Sequence, residues 1–167
     1  NAITERELID KLAAASQAGV RVDLIVRGIC CLLPGVSGKT EHITVTSVLG
    51  RFLEHSRIYS FGEGPLRQIY LSSADIMTRN QERRVEIACP VESGELKTFL
   101  SDYLERLIQD RVKGRRLLSD GTFTRDMGDT AADNSVQQYY LDNPPQLKGT
   151  EARHRRWKLP DLFHRRG

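Results

Sequence analysis

Apolar and polar positions alternate along most of the chain with two recognisable periods. Ile3, Leu8, Ile9, Leu12 and Ala13 recur at helical spacing. Thr4-Glu5-Arg6-Glu7 has the form of a capping box at their start, and Gly19 is placed to end the helix. Val20 to Val26 is rich in β-branched residues and predicts a buried strand; Ile43 to Leu49 alternates and predicts a second. Arg57–Phe61 and Gln68–Ser72 predict two more, joined through the Gly62-Glu63-Gly64-Pro65 turn, and Val85 to Val91 a fifth. Ser93 is positioned to cap a long helix reaching about residue 111, with Leu96, Leu100, Tyr103, Leu104, Leu107 and Ile108 on one face. Past Lys113 the pattern weakens. One short strand fits within 115–124 and one short helix within 135–141, followed by Pro144-Pro145 and a basic end without apolar periodicity. The expected organisation is an α/β domain over 1–124, with a partly helical extension over 125–167 that packs on it or on a partner.

Composition narrows the class. The 167 residues are 39% hydrophobic and contain no apolar run near the ~18 residues that span a bilayer. A collagen-like or polar disordered chain is excluded as well. Three cysteines, two of them adjacent (Cys30 and Cys31), cannot close a disulfide framework, so a reducing, cytoplasmic setting is expected. The net charge of +3 is unevenly placed. Residues 1–148 hold 19 basic and 20 acidic side chains, whereas 149–167 hold six basic and two acidic. The excess therefore sits in the tail, where a solvated or docking segment is the ordinary reading and a grip on polyanions the alternative.

Two motifs fail on inspection. Gly35-Val36-Ser37-Gly38-Lys39-Thr40 ends like a phosphate-binding loop, but two residues separate its glycines instead of four, and a strand pattern follows where a helix is required. Cys30, Cys31, His42 and His55 lack zinc-ligand spacing, which leaves the cysteines as small apolar side chains at a strand end.

The informative window runs from Gly50 to Glu86. It holds Arg51, His55, Ser56 and Arg57, then Ser72-Ser73-Ala74-Asp75, then Arg79, Asn80, Arg83 and Arg84, while Arg27 stands just past the first strand. If the strands after His55 and before Ser73 pair antiparallel, His55 and Ser72-Ser73 share one edge. An imidazole, small hydroxyls and guanidinium groups together suit a phosphate or polyphosphate. The order resembles half of a phospholipase D site, a His-x-Lys strand followed by a Gly-Ser-x-Asn strand end. Here Arg57 replaces the lysine, Ser72 the glycine and Asp75 the asparagine.

A more specific resemblance covers about residues 9–124. Ala15–Val20, Asp23–Leu32, Gly50–Tyr59, Ser72–Asp75 and Arg83-Arg84-Val85-Glu86 resemble the carboxy-terminal domain of the bacterial, ATP-dependent polyphosphate kinases. The departures are Leu33 in place of arginine, and Ile76 and Thr78 in place of tryptophan and proline. The resemblance implies a phospholipase D-like mixed sheet flanked by helices. It also implies reversible transfer of the ATP γ-phosphate to polyphosphate through a phosphohistidine in a preceding domain that these residues do not include. His55 matches the second histidine facing that phosphoryl group, Arg27 an arginine on nucleotide phosphates, and Arg83 with Arg84 a basic pair lining the pocket. Magnesium ligands are expected outside this stretch. The implied partners are ATP or ADP, inorganic polyphosphate, the rest of the kinase chain and further copies of the full-length protein, with no specific nucleic acid. The implied location is the cytoplasm, or the inner face of the membrane as a peripheral protein. The stretch alone is expected to be inactive.

Overall fold

The computed structural model describes residues 1–125 and 135–146, so the basic end at 149–167 lies outside the described residues. The first helix, α1 (Arg6–Gln17), starts one residue later than the capping box predicts. Thr4 is held in extended chain: Ile3 bridges to Cys30 and Ile76, and the Thr4 amide donates to the Ile76 carbonyl at 2.8 Å. Glu5 caps instead, its carboxylate accepting from the amides of Glu7 (3.1 Å) and Leu8 (2.7 Å), where a negative charge also meets the positive end of the helix. Gly19, with φ of 84°, then turns the chain out of the helix.

Among the described residues, seven strands form two sheets rather than one. The first has the order β1 (Val22–Ile25), β2 (Ile43–Val48), β6 (Gly114–Leu117), β7 (Phe123–Arg125). It is mixed, because β1 runs parallel to β2 while β6 and β7 are antiparallel to their neighbours. The second sheet, β3 (Ile58–Phe61), β4 (Gln68–Ser72), β5 (Ala88–Pro90), is antiparallel. The region expected to hold one strand at 115–124 is thus a hairpin, β6 and β7, turned at Gly121.

Both faces of β2 are covered. Ile43 and Val45 join Ile3, Val26, Leu32 and Leu117 in a core against which Ile9 and Leu12 of α1 pack. Val48 packs with Leu107 of α3 (Gly94–Gln109) and Val136 of α4 (Val136–Asp142). Each such side chain contributes about 1.5–3 kcal/mol of apolar burial, so β2 is the spine of the domain. β1, expected to be buried, is only half-buried because it ends its sheet. The predicted strand over 85–91 shortens to β5: Val85 is 99% exposed, and its β-branched side chain has nothing to pack on. α2 (Thr78–Glu82) escaped the sequence reading because its five residues are too few to show apolar periodicity.

β1 and β3, each with one edge that carries no neighbouring strand among the described residues, line one cavity of about 640 Å³ together with residues of α3. No helix among the described residues is long and apolar enough to cross a membrane.

Candidate functional site

The expected antiparallel pairing is present: Ile58 lies opposite Leu71, and the Ser72 amide donates to the Arg57 carbonyl at 2.9 Å. The start of β3 and the end of β4 therefore share one edge, as the positions of His55 and Ser72-Ser73 predict. Arg57 and Asp75 meet there. Arg57 Nε donates to Asp75 Oδ1 at 2.9 Å and Nη2 to Oδ2 at 3.1 Å, with the two side chains 17% and 6% exposed. Asn1 Nδ2 adds a bond to Oδ2 at 3.2 Å. Burial alone pushes the Asp75 carboxyl up, but the Arg57 bonds and charge outweigh it and hold the group below its ordinary range. Arg57 is correspondingly raised by its bond to Asp75.

The same guanidinium orients His55. Nη2 lies 3.2 Å from His55 Nε2, and Nη1 donates to the His55 carbonyl at 3.3 Å. A guanidinium has no acceptor, so in this bond Nε2 accepts and the ring proton sits on Nδ1. His55 is exposed, yet Glu54, Ser56 and Arg57 around it line the cavity. Tyr59, whose hydroxyl donates to the Ala74 carbonyl at 2.9 Å, and Arg27 line it too. Arg27 Nε is buried without a hydrogen-bond partner among the described residues, and the same is true of Arg67, a lining residue that sequence reasoning passed over.

Arg83 and Arg84 stand apart from this group. Both are exposed where α2 ends, and neither lines the cavity. Their surroundings are organised by Glu86, which accepts from Ser73 Oγ and from Asn80 Nδ2 (2.5 Å), while Ser73 Oγ accepts from the Ile87 amide at 3.0 Å. The Ser73 and Asn80 bonds, followed by the charges of Arg84 and Arg57, hold the Glu86 carboxyl below its ordinary range.

The loop carrying the failed phosphate motif is closed on itself. Thr40 Oγ1 donates to the Leu33 carbonyl at 2.6 Å and accepts from the Val36 amide at 3.1 Å, so the hydroxyl is engaged. The three cysteines are free thiols. Among the described residues no cluster of three or more His, Cys, Asp or Glu side chains could hold a metal ion, and Arg57 engages both oxygens of Asp75.

The chain is similar to known proteins over most of its length. Residues 1–137 match the family model described as polyphosphate kinase C-terminal domain 2. A polyphosphate kinase of an Exiguobacterium species is 50% identical over 166 residues, 99% of this chain and 22% of that protein. One from Prosthecochloris aestuarii is 48% identical over 148 residues, covering 89% and 21% respectively. The crystal structure of polyphosphate kinase from Porphyromonas gingivalis superposes with a TM-score of 0.78 at 37% identity, over 86% of this chain and 22% of that one. The chain thus spans about a fifth of the length of these relatives. An α/β sheet edge that sets His55 beside the paired Arg57 and Asp75, within a sequence matched almost end to end, identifies this chain as a member of the polyphosphate kinase C-terminal domain 2 family.

Proposed function

We propose that this chain forms one wall of the active site of a polyphosphate kinase, which moves the γ-phosphate of ATP to the end of a polyphosphate chain and back. The observation that carries the reading is Arg27. Its side chain lines the cavity beside which His55 sits, and its buried Nε has no hydrogen-bond partner among the described residues. Arg57 is less suited to that role, because four of its five N–H groups are engaged by Asp75 and His55. A buried guanidinium donor left open favours an anion with several acceptor oxygens.

In this reading the terminal P–O bond of ATP breaks as a histidine nitrogen in the preceding domain takes the phosphoryl group and ADP departs. The N–P bond then breaks as a terminal polyphosphate oxygen attacks. His55 donates from Nδ1 to an oxygen of the transferring group while Arg57 holds its Nε2. Arg27 binds phosphate oxygens from the cavity wall, and Arg83 and Arg84 offer charge from the exposed end of α2. Phosphoryl transfer depends mainly on positioning and on balancing spread charge, which is what this residue set supplies. Magnesium would be held by phosphates and by residues beyond this stretch. The same reading has the full-length protein act in the cytoplasm or at the inner face of the membrane, as an assembly of several copies.

His55→Ala in the full-length protein tests the assignment. Polyphosphate synthesis is expected to fall at least a hundredfold with ATP saturating, because one charge-stabilising donor is lost. Synthesis at the wild-type rate would overturn it.

A further inference from the structure

The residues just before His55 belong to no strand or helix, so nothing in either sheet holds their backbone. A side chain 85 positions away does. Gln137 Oε1 accepts from the Phe52 amide at 2.9 Å, and Gln137 Nε2 donates to the Phe52 carbonyl at 2.8 Å. One carboxamide thus reproduces the paired bonds that a neighbouring strand would make. Its second N–H donates to Glu54 Oε1 at 2.7 Å. The other Glu54 oxygen accepts from the Tyr103 hydroxyl of α3 at 2.5 Å, and burial followed by this carboxylate raises the Tyr103 phenol. The bonded Phe52–Glu54 segment leads straight into His55.

Two further features make this clamp specific. Gly50 lies flat against the Gln137 amide: a Cβ there would stand 2.8 Å from Gln137 Cδ and closer still to its oxygen. Alanine at position 50 would therefore displace the carboxamide. Helix α4, which carries Gln137, is itself pinned: the Val136 amide donates to Asp110 Oδ2 at 2.9 Å within a buried contact, and Val136 packs on Val48 and Leu107. Asp110 ends α3 and holds the Val112 and Lys113 amides with its other oxygen. The path from the core to the imidazole is continuous.

We infer that Gln137 is a positioning residue for His55, setting the approach of the imidazole through Phe52 and Glu54 without touching the reacting groups. This rests on the proposed role of His55. Loss of the clamp leaves the imidazole chemically intact but misplaced, so the turnover rate falls while ATP binding through Arg27 is kept. Displacement near 1 Å costs up to a hundredfold.

The test uses the full-length protein with Gln137→Ala, Gly50→Ala, Gln137→Glu and the exchange Glu54→Gln/Gln137→Glu. The first two are expected to lower kcat ten- to a hundredfold with KM for ATP changed less than threefold, and to shift the His55 ring resonance in 13C-histidine spectra. Gln137→Glu sets two carboxylates face to face and should be worse; the exchange variant rebuilds the side-chain bond and should recover part of the rate. In a His55→Ala background Gln137→Ala should cost nothing further, because the group it positions is gone. Unchanged kcat and an unmoved His55 resonance in Gln137→Ala would overturn the inference. So would an equal loss in both backgrounds, which marks a general folding defect. Wild-type activity in His55→Ala alone would instead sink the function on which it rests.

Discussion

Arg57 and Asp75 are joined by two hydrogen bonds, 2.9 and 3.1 Å, across the end of the β3–β4 pair. They are also two of the three positions at which this chain departs from the phospholipase D pattern, arginine for lysine and aspartate for asparagine. The departures compensate each other: the carboxylate neutralises the guanidinium, and the fork fixes the geometry that a single ammonium would leave loose. The cost is that Asp75 and His55 engage four of the five Arg57 N–H groups, which leaves one for another acceptor.

Removing one member should therefore be harsher than replacing both. Asp75→Ala leaves a largely buried guanidinium unpaired and is expected to destabilise the domain by about 3–5 kcal/mol in urea unfolding. Arg57→Lys with Asp75→Asn, which restores the phospholipase D residue pair, should cost less than the sum of its single changes. Strict additivity would mean that the two side chains do not act together.

The pair also sets an acid limit. Asp75 is held below its ordinary value in the folded chain, so on acidification the unfolded chain takes up the proton first. Its stabilisation is complete above about pH 4 and is lost as the pH falls through the folded-state value. The stability gap between wild type and Asp75→Asn should accordingly narrow below that pH. A gap that stays constant down to pH 2.5 would contradict the assignment.

Arg27 and Arg84 should separate in binding. Arg27→Ala removes a charged donor bordering the cavity, worth about 1.5–3 kcal/mol, and should raise KM for ATP roughly ten- to a hundredfold. Arg84→Ala removes an exposed charge and should change it less than about fivefold, a difference that shrinks further as salt screens that charge. Reversed magnitudes, read from steady-state kinetics of the full-length protein, would move the phosphate site to the end of α2.

The free edges of β1 and β3 make a further prediction. Unpaired strand edges expose alternate backbone donors and acceptors, and proteins normally cover or blunt them. Relatives are about five times longer than this chain, so the remainder of the full-length protein is expected to cover the cavity between these edges. Amide exchange in β1 and β3 should then alternate between fast and slow in the isolated 167 residues and be uniformly slow in the full-length protein. Fast alternate amides in both would show the cavity open to water.

Local patterns carried the sequence reading a long way. The strands at Ile43–Val48 and Gln68–Ser72, the Ser93 cap and the helix through Leu107 depend on neighbours a few residues apart, and all appear in the structure. The order His55, Arg57, Ser72, Asp75 was enough to predict a shared edge, because an antiparallel pair places the start of one strand beside the end of the next. Tertiary structure alone decided what each residue does there. Whether an arginine is spent or available depends on which carboxylate reaches it, and this separated Arg57, tied to Asp75, from Arg27 with a buried open donor. Capping by Glu5 in place of Thr4, the division into two sheets and the clamp of Gln137 on Phe52 have the same origin. Each is settled by a partner distant in sequence, where hydrogen-bond geometry and burial leave no local periodicity to read.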